Sequence, residues 1–344
     1  MLKKIPFMVL FLTRRCNLNC AYCGMNKNHM FYPDMKYFAK AEKPLEWWVN
    51  FAEKWYEAHP ETFFVIMGGE PLILPWFPKF IEELNRIGTL YTFITNCTKQ
   101  DELKNLLEHT PIIRGFTASC DVTDGEEDSD RSKKSSLGFD TLVWVKEQLG
   151  DKVDCCAEVT LNRYNINGAL PLVRRLAEYE IFSSVSVIDP KLNDYYDFSN
   201  VEYNERDFVQ KDEITKEIFS QLEKEKFVHM PHIFKYMYEA LPYDLPEIED
   251  LLGYPSIDAD GRWRYSIRIR GIEVPRYVTT DMFIKAKTDE KAYEILKDHF
   301  MKDFTRYEMG LNWSGLYMAH SVRMGDHDTD DIIHGLDTKD LIVY

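Results

Sequence analysis

Three cysteines fall within eight residues, in the run Cys16-Asn17-Leu18-Asn19-Cys20-Ala21-Tyr22-Cys23. Thiolates are soft ligands suited to zinc or to iron–sulfur clusters. Three of them on one short loop can hold three corners of a 4Fe-4S cube and leave the fourth iron open to a small molecule. A closed structural zinc site asks for a fourth protein ligand, and the candidates are His29 or, from elsewhere in the chain, Cys97. Other chemistry-bearing residues come in short groups: Gly68-Gly69-Glu70-Pro71, Thr95-Asn96-Cys97, Ser119-Cys120-Asp121 and Thr160-Leu161-Asn162-Arg163. The paired glycines let a ligand approach the backbone closely, and the Glu70 carboxylate can accept hydrogen bonds from an ammonium. The short side chains of Ser119 and Asp121 suit ribose hydroxyls.

These groups need elements to position them. Apolar runs rich in β-branched and aromatic residues predict strands at 6–13, 62–67, 90–95, 112–119, 154–161 and 182–188. Helix-like segments lie between them at 44–59, 76–87, 100–108, 138–149 and 169–179. Continuous apolar strands separated by amphipathic helices indicate a parallel sheet with crossover helices. The fold class expected is α/β, a partial (β/α)6 TIM-like barrel with a smaller α+β C-terminal extension. In such folds the site lies at the C-terminal ends of the strands, and each polar group above falls at such an end. The rhythm changes after residue 190, with helices expected at 210–226, 231–240 and near 289–307 and a hairpin around Ala259-Asp260-Gly261. The chain is therefore divided into a core barrel at 1–200 and an accessory region at 201–344.

Composition bounds the function. The 344 residues carry 57 acidic against 42 basic side chains, a formal net charge of −15, which disfavours nucleic acid as a partner. Hydrophobic residues at 45% exclude intrinsic disorder. No apolar run approaches the roughly 20 residues that span a bilayer. The run Phe7-Met8-Val9-Leu10-Phe11-Leu12 is short and meets Arg14, Arg15 and Cys16, so it is expected to be a buried strand rather than a leader peptide. Seven cysteines, an odd number without a secretory signal, point to a reducing cytoplasm with thiols as ligands or core residues.

The ordered set of C-x3-C-x2-C with an aromatic residue before its last cysteine, then Gly-Gly-Glu-Pro, then Ser-x-Asp, resembles the radical S-adenosylmethionine (SAM) superfamily over about residues 6–190. The resemblance implies that Cys16, Cys20 and Cys23 hold one 4Fe-4S cluster whose open iron is chelated by SAM. It implies reductive cleavage of SAM to methionine and a 5′-deoxyadenosyl radical that abstracts a hydrogen atom. It places Gly68, Gly69 and Glu70 at the methionyl amino group and Ser119 and Asp121 near the ribose or carboxylate. Asn162, Val187 and Ile188 are placed toward ribose and adenine, and Tyr22 gives adenine a backbone contact. Arg131 and Arg163 compete as carboxylate partners, against the alternative of solvated surface charges. The implied partners are a small-molecule or peptide substrate and an external one-electron reductant such as flavodoxin or ferredoxin.

The tail resembles, less strongly, the SPASM or twitch extensions of this superfamily, through Ile257-Asp258-Ala259-Asp260-Gly261 and Tyr307–Gly315. Tyr265, Glu308, Leu311 and Gly315 stand where cluster cysteines are expected, and no cysteine follows Cys156. Auxiliary clusters need thiolates, so a single cluster and a redox-neutral outcome are expected: epimerisation, isomerisation, fragmentation or bond formation. Such an outcome can require a hydrogen donor, and Cys156 and Tyr265 are the candidates advanced here. Cys155 and Cys156 face opposite sides of their strand, and Cys156 shares a face with Glu158, Thr160 and Asn162. The tryptophans at 47, 48 and 55 are expected in packing, and His327 among its aspartates in an acidic surface turn.

Overall fold

The computed structural model of the chain describes residues 7–18, 20, 23, 41–58, 60, 62–112, 115–121, 136–187, 209–229, 231, 233–241, 255–257, 259, 261, 263–265, 267–268 and 308–309. Tyr22, Arg131, Ile188, the expected helix at 289–307 and the His327 turn lie outside the described residues.

Six parallel strands alternate with helices, as the patterning indicates. They are β1 (Phe7–Thr13), β2 (Phe63–Gly68), β3 (Leu90–Thr95), β4 (Phe116–Ser119), β5 (Cys155–Leu161) and β6 (Phe182–Val187). The crossovers are α1 (Leu45–Ala58), α2 (Phe77–Ile87), α3 (Gln100–His109), α4 (Leu137–Gln148) and α5 (Ile166–Ala177). Each helix buries one apolar stripe. On α1 it is Trp48, Phe51, Ala52 and Trp55, and on α2 Phe77, Phe80, Ile81 and Leu84, at the i, i+3, i+4, i+7 spacing of one helical face. Alternate strand residues meet that layer, for example Leu10, Ile66, Phe93, Ala118, Val159 and Val185 in one continuous core. The opposite parity forms the inner face. It is apolar on β1 and β2, with Val9, Phe11, Phe63 and Val65, and polar on β4 to β6, with Thr117, Ser119, Glu158, Thr160, Ser184 and Ser186.

The sheet runs β6-β5-β4-β3-β2-β1-β7-β8 and is open, a partial barrel. The expected hairpin around Gly261 is β7 (Pro255–Ile257) and β8 (Trp263–Tyr265), antiparallel to each other. It does more than cap the barrel: β7 pairs in parallel with β1 at Val9↔Ser256 and Leu10↔Ile257. At the other edge, Ser183 exchanges backbone hydrogen bonds with Phe227 and His229. Segments beyond residue 200 thus cover both edges of the barrel sheet. Between them α6 (Glu213–Leu222) and α7 (Ile233–Ala240) extend the core through Phe219, Phe234 and Met237. The short strands β9 (Ile267–Arg268) and β10 (Glu308–Met309) pair with each other. No described helix is long and apolar enough to cross a membrane.

Several boundaries differ from the sequence expectation, the widest at β4, at α5 and at the helix expected over 210–226, which runs Glu213–Leu222. β4 begins at Phe116 rather than 112, because Gly115 turns the chain at φ +73°, with the start of β5 beside it. Helix α5 begins at Ile166 rather than 169 and carries Pro171 inside it, although proline favours a helix start.

Gly115 gives a stability prediction. A Cβ there would sit 2.0 Å from the Asp154 carbonyl oxygen, whereas one at Gly150 (φ +57°) meets nothing within 4 Å. Gly150→Ala is expected to cost about 1–2 kcal/mol from the left-handed backbone alone. Gly115→Ala adds a backbone collision and is expected to cost about 3 kcal/mol or more. Thermal unfolding of both variants checks this, and equal costs would mean that the contact with β5 is unimportant.

Candidate functional site

The cysteine loop leaves β1 and is laid directly on the end of β2. The Gly69 N–H donates to Thr13 O (2.8 Å) and the Glu70 N–H to Arg15 O (2.9 Å). A Cβ at Gly68 would lie 2.2 Å from Thr13 O, and one at Gly69 only 1.9 Å from Arg15 O. The glycines are therefore required by the chain's own backbone, which fixes where Cys16 begins. This replaces the reading in which they only admit a ligand. The far side of the loop is tied by Glu42, which pairs with Arg15 (Nη2–Oε2 2.6 Å) and accepts a short hydrogen bond from Thr13 Oγ1. Within the loop, the Leu18 N–H points at Cys16 Sγ (3.4 Å) and the Cys23 N–H donates to Cys20 O (3.1 Å).

Glu70 departs from the expected ligand role. It is fully buried, and its carboxylate is engaged by the protein: Oε1 accepts from the Leu72 N–H (3.0 Å) and Thr95 Oγ1 (2.8 Å), and Oε2 from the Asn96 N–H (2.7 Å). Burial pushes its pKa up to about 6 despite these three donors. Glu70 thereby staples the ends of β2 and β3 together. Asn96, assigned no role in the motif reading, extends the staple to the cysteines, with Nδ2 at 3.5 Å from Cys16 Sγ. Burial pushes the Cys16 thiol up to about 11, with Cys23 and Glu70 acting in the same direction and the Leu18 and Asn96 N–H groups opposing it.

On the polar wall, Ser119 is half-buried and level with Glu158. Asp121 is buried and accepts from the Thr160 N–H (2.9 Å), closing β4 onto β5. Asn162, fully buried, uses its Oδ1 on the N–H groups of Tyr164 (2.7 Å) and Asn165 (3.1 Å) at the head of α5. Its Nδ2 is buried with no hydrogen-bond partner. An orphaned donor at a strand end is the feature a bound acceptor would explain. The guanidinium of Arg163 lies 5.2 Å over the Tyr164 ring and lines a separate cleft of about 570 Å³ with Gln210, Asp212 and Ile214. The Val187 side chain belongs to the helix-facing core, which leaves only its backbone toward the mouth.

The two hydrogen-donor candidates are displaced. Cys156 does face inward as its parity requires, but it is fully buried and lies six residues before Asn162, about 20 Å along an extended strand. Burial, with the Glu158 charge adding, holds its thiol well above the ordinary range and hence protonated. Tyr265 pairs with Pro255, the first residue of β7, at the end of the sheet opposite the mouth. Cys97 is fully buried, at φ +58°, with Sγ 3.9 Å from Thr95 O. It belongs to the apolar core, which removes it as a fourth zinc ligand.

Three thiols on one loop at the strand C-termini, backed by N–H donors and an orphaned amide, suit a cluster and a polar ligand. Among the described residues no three potential ligands converge as one ion would require. A cube does not ask for that, since each thiolate meets its own iron. The class defined by fold and site is an open parallel α/β barrel with a three-cysteine loop.

Residues 10–128 match the Radical SAM superfamily, and this segment is a radical SAM domain. The 4Fe-4S cluster and SAM are the cofactors of that family. A curated relative, the S-adenosylmethionine-dependent nucleotide dehydratase of Lacinutrix mariniflava, is 28% identical over 125 residues, 36% of this chain and 25% of its own. The chain thus spans about a quarter of that relative's length. Among solved structures, anSMEcpe with bound AdoMet is similar at TM-score 0.54 and 15% identity, over 93% of this chain and 98% of that one. Streptococcus suis SuiB is similar at TM-score 0.53 and 12% identity, over 76% and 60%. At such identities the likeness concerns the fold.

Two predictions follow from the geometry. Glu70→Gln replaces one acceptor by a donor facing the Asn96 N–H. It is expected to destabilise the apoprotein by about 2–3 kcal/mol, measurable by thermal unfolding without SAM. If Glu70 served only a ligand, apo stability would not change. Second, the Cys155 thiol, pushed up to about 12 by burial, and the fully buried Cys156 are expected to resist iodoacetamide in the folded protein at pH 8. Labelling of either is expected only on unfolding. Rapid labelling of Cys156 at pH 8 would show that the inner wall is open to its floor.

Proposed function

We propose that this chain is a radical SAM enzyme that abstracts a hydrogen atom from a small molecule or peptide and carries it to a redox-neutral product. The observation that carries the reading is the placement of Cys16, Cys20 and Cys23 on a loop locked across the C-terminal ends of β1 and β2. The cluster with SAM supplies one-electron reductive cleavage of the sulfonium and a primary carbon radical. The protein's residues do the rest. Gly68 and Gly69 hold the loop against β2, Glu70 and Asn96 join it to β3, and the Asn162 amide is a donor for a bound acceptor. Arg131 and Arg163 remain the carboxylate partners proposed from the resemblance, with Arg163 lining the cleft beside α5.

The redox-neutral outcome is supported by the tail, where no thiolate follows Cys156 to build an auxiliary electron acceptor. A dehydration, named for the Lacinutrix relative, is itself redox-neutral, and a nucleotide is a small molecule of the class proposed. Residues 201–344 are proposed as the accessory region, although β7 of that region is built into the barrel sheet. The proposal includes an external one-electron reductant of the flavodoxin or ferredoxin type, and a reducing cytoplasm as its setting.

The test is anaerobic reconstitution, dithionite reduction and addition of SAM, with 5′-deoxyadenosine followed by mass spectrometry beside a Cys16→Ala/Cys20→Ala/Cys23→Ala variant. About four irons per chain and cysteine-dependent 5′-deoxyadenosine are expected. Zinc in place of iron, without SAM cleavage, would make the loop a structural zinc module. Eight or more irons would overturn the single-cluster reading.

A further inference from the structure

The turn after β3 joins two parts of the site that lie far apart in sequence. The backbone N–H of Asn96 donates to Glu70 Oε2, and its side chain reaches the cysteine loop, with Nδ2 at 3.5 Å from Cys16 Sγ and 3.0 Å from Asn17 Oδ1. The orientation of the amide is fixed by chemistry. The Thr98 N–H points at Asn96 Oδ1 (3.0 Å), and a backbone N–H can only donate, so that atom is the oxygen and the NH2 end faces the sulfur. Thr98 Oγ1 also donates to Oδ1 (2.6 Å) while accepting from Asn17 Nδ2 (2.7 Å), which completes a ring of partners around the amide. Asn96 is buried, 9% exposed, so water competes little for its N–H groups.

The second donor to Cys16 Sγ, the Leu18 N–H, is part of the loop itself. The Asn96 bond is different, because it is borne by a side chain 80 residues away on another strand end. A ligating sulfur carries more negative charge when its cluster is reduced. An N–H aimed at it stabilises the reduced form more than the oxidised one and so raises the reduction potential.

The geometry points to Asn96 as a positioning residue for the cluster, whose side-chain amide donates to the Cys16 sulfur and makes the cluster easier to reduce. This rests on the cluster reading above. Its consequence is that the ends of β1, β2 and β3 converge on one ligand atom, through Glu70, Asn96 and the loop, so that the reducibility of the site is set from β3 as well as from the cysteine motif.

The test compares wild type, Asn96→Leu and Thr98→Val after anaerobic reconstitution. Iron and sulfide are counted, and the reduced cluster is followed by electron paramagnetic resonance during a potentiometric titration. Leucine keeps the shape of asparagine and removes the donor. Valine at 98 removes the hydroxyl that helps fix the amide. With the cluster retained, Asn96→Leu is expected to have a more negative midpoint, with the reduced-to-oxidised ratio at the wild-type midpoint falling roughly tenfold, or about 59 mV for one electron. Thr98→Val is expected to move the midpoint the same way by less. An unchanged midpoint in Asn96→Leu with full iron overturns the inference and leaves the cluster reading intact. Absence of iron in the wild type removes the cluster reading itself. If Asn96→Leu fails to hold iron, Thr98→Val decides, and an unchanged midpoint there overturns the inference.

Discussion

The carbonyls of Thr13 and Arg15 rest against the amides of Gly69 and Glu70 so closely that no side chain fits between them. Much of the site follows from this contact. It carries the parallel pairing of β1 and β2 one step past the last regular residue, so the chain emerges above the sheet with Cys16 immediately beyond Arg15. It also turns Glu70 inward, where a carboxylate deprived of water needs donors. The donors come from the end of β3, Thr95 Oγ1 and the Asn96 N–H, together with the Leu72 N–H. Three strand ends are thereby fixed relative to one another before any ligand binds, which is the preorganisation a site of this chemistry needs.

The far end of the cysteine loop is held by a different device. Glu42 takes Arg15 in a two-pronged pair and also accepts from Thr13, so the chain returning from the loop is clamped to the residues that began it. The next residue, Lys43, donates its N–H to Ala259 O (2.8 Å) in the β7–β8 turn. The turn glycine, Gly261, packs so close to Lys43 and Trp47 that a Cβ would lie 2.6 Å from the lysine chain. The C-terminal region therefore braces the start of α1, and through Glu42 it braces the loop. A division at residue 200 describes the sequence rhythm better than it describes these contacts.

The strands and helices were legible because burial imposes simple periods on them: continuous apolar runs for doubly covered strands, and a 3.6-residue stripe for α1, α2 and α5. The position of the polar groups at strand C-termini was legible for the same reason, and the motif order indicated the cofactors. What sequence could not give was the direction of each side chain's commitment. Glu70 reads as a ligand residue, yet desolvation makes it a staple. Asn96 stands in one motif group and Asn17 in another, and their hydrogen-bonded ring with Thr98 beside Cys16 depends on the pairing of β3 with β2. Arg163 follows a strand end, but its side chain lines a cleft with residues of α5 and the segment that leads into α6. The short β4 was hidden because Ile112 is as apolar as a strand residue, and the break depends on the left-handed backbone of Gly115.

The inner face narrows the chemistry further. Cys97 and Cys120 follow the ends of β3 and β4 but, like Cys155, belong to the core facing the helices, and Cys156 lies on the floor of the inner face. Tyr265 is at the opposite end of the sheet. Among the described residues, the Cys156 thiol is therefore set back from the strand ends that carry the cysteine loop. Between floor and mouth, the polar wall carries Glu158, held by Ser186 Oγ (3.2 Å), opposite the apolar wall of Val9, Phe11 and Val65.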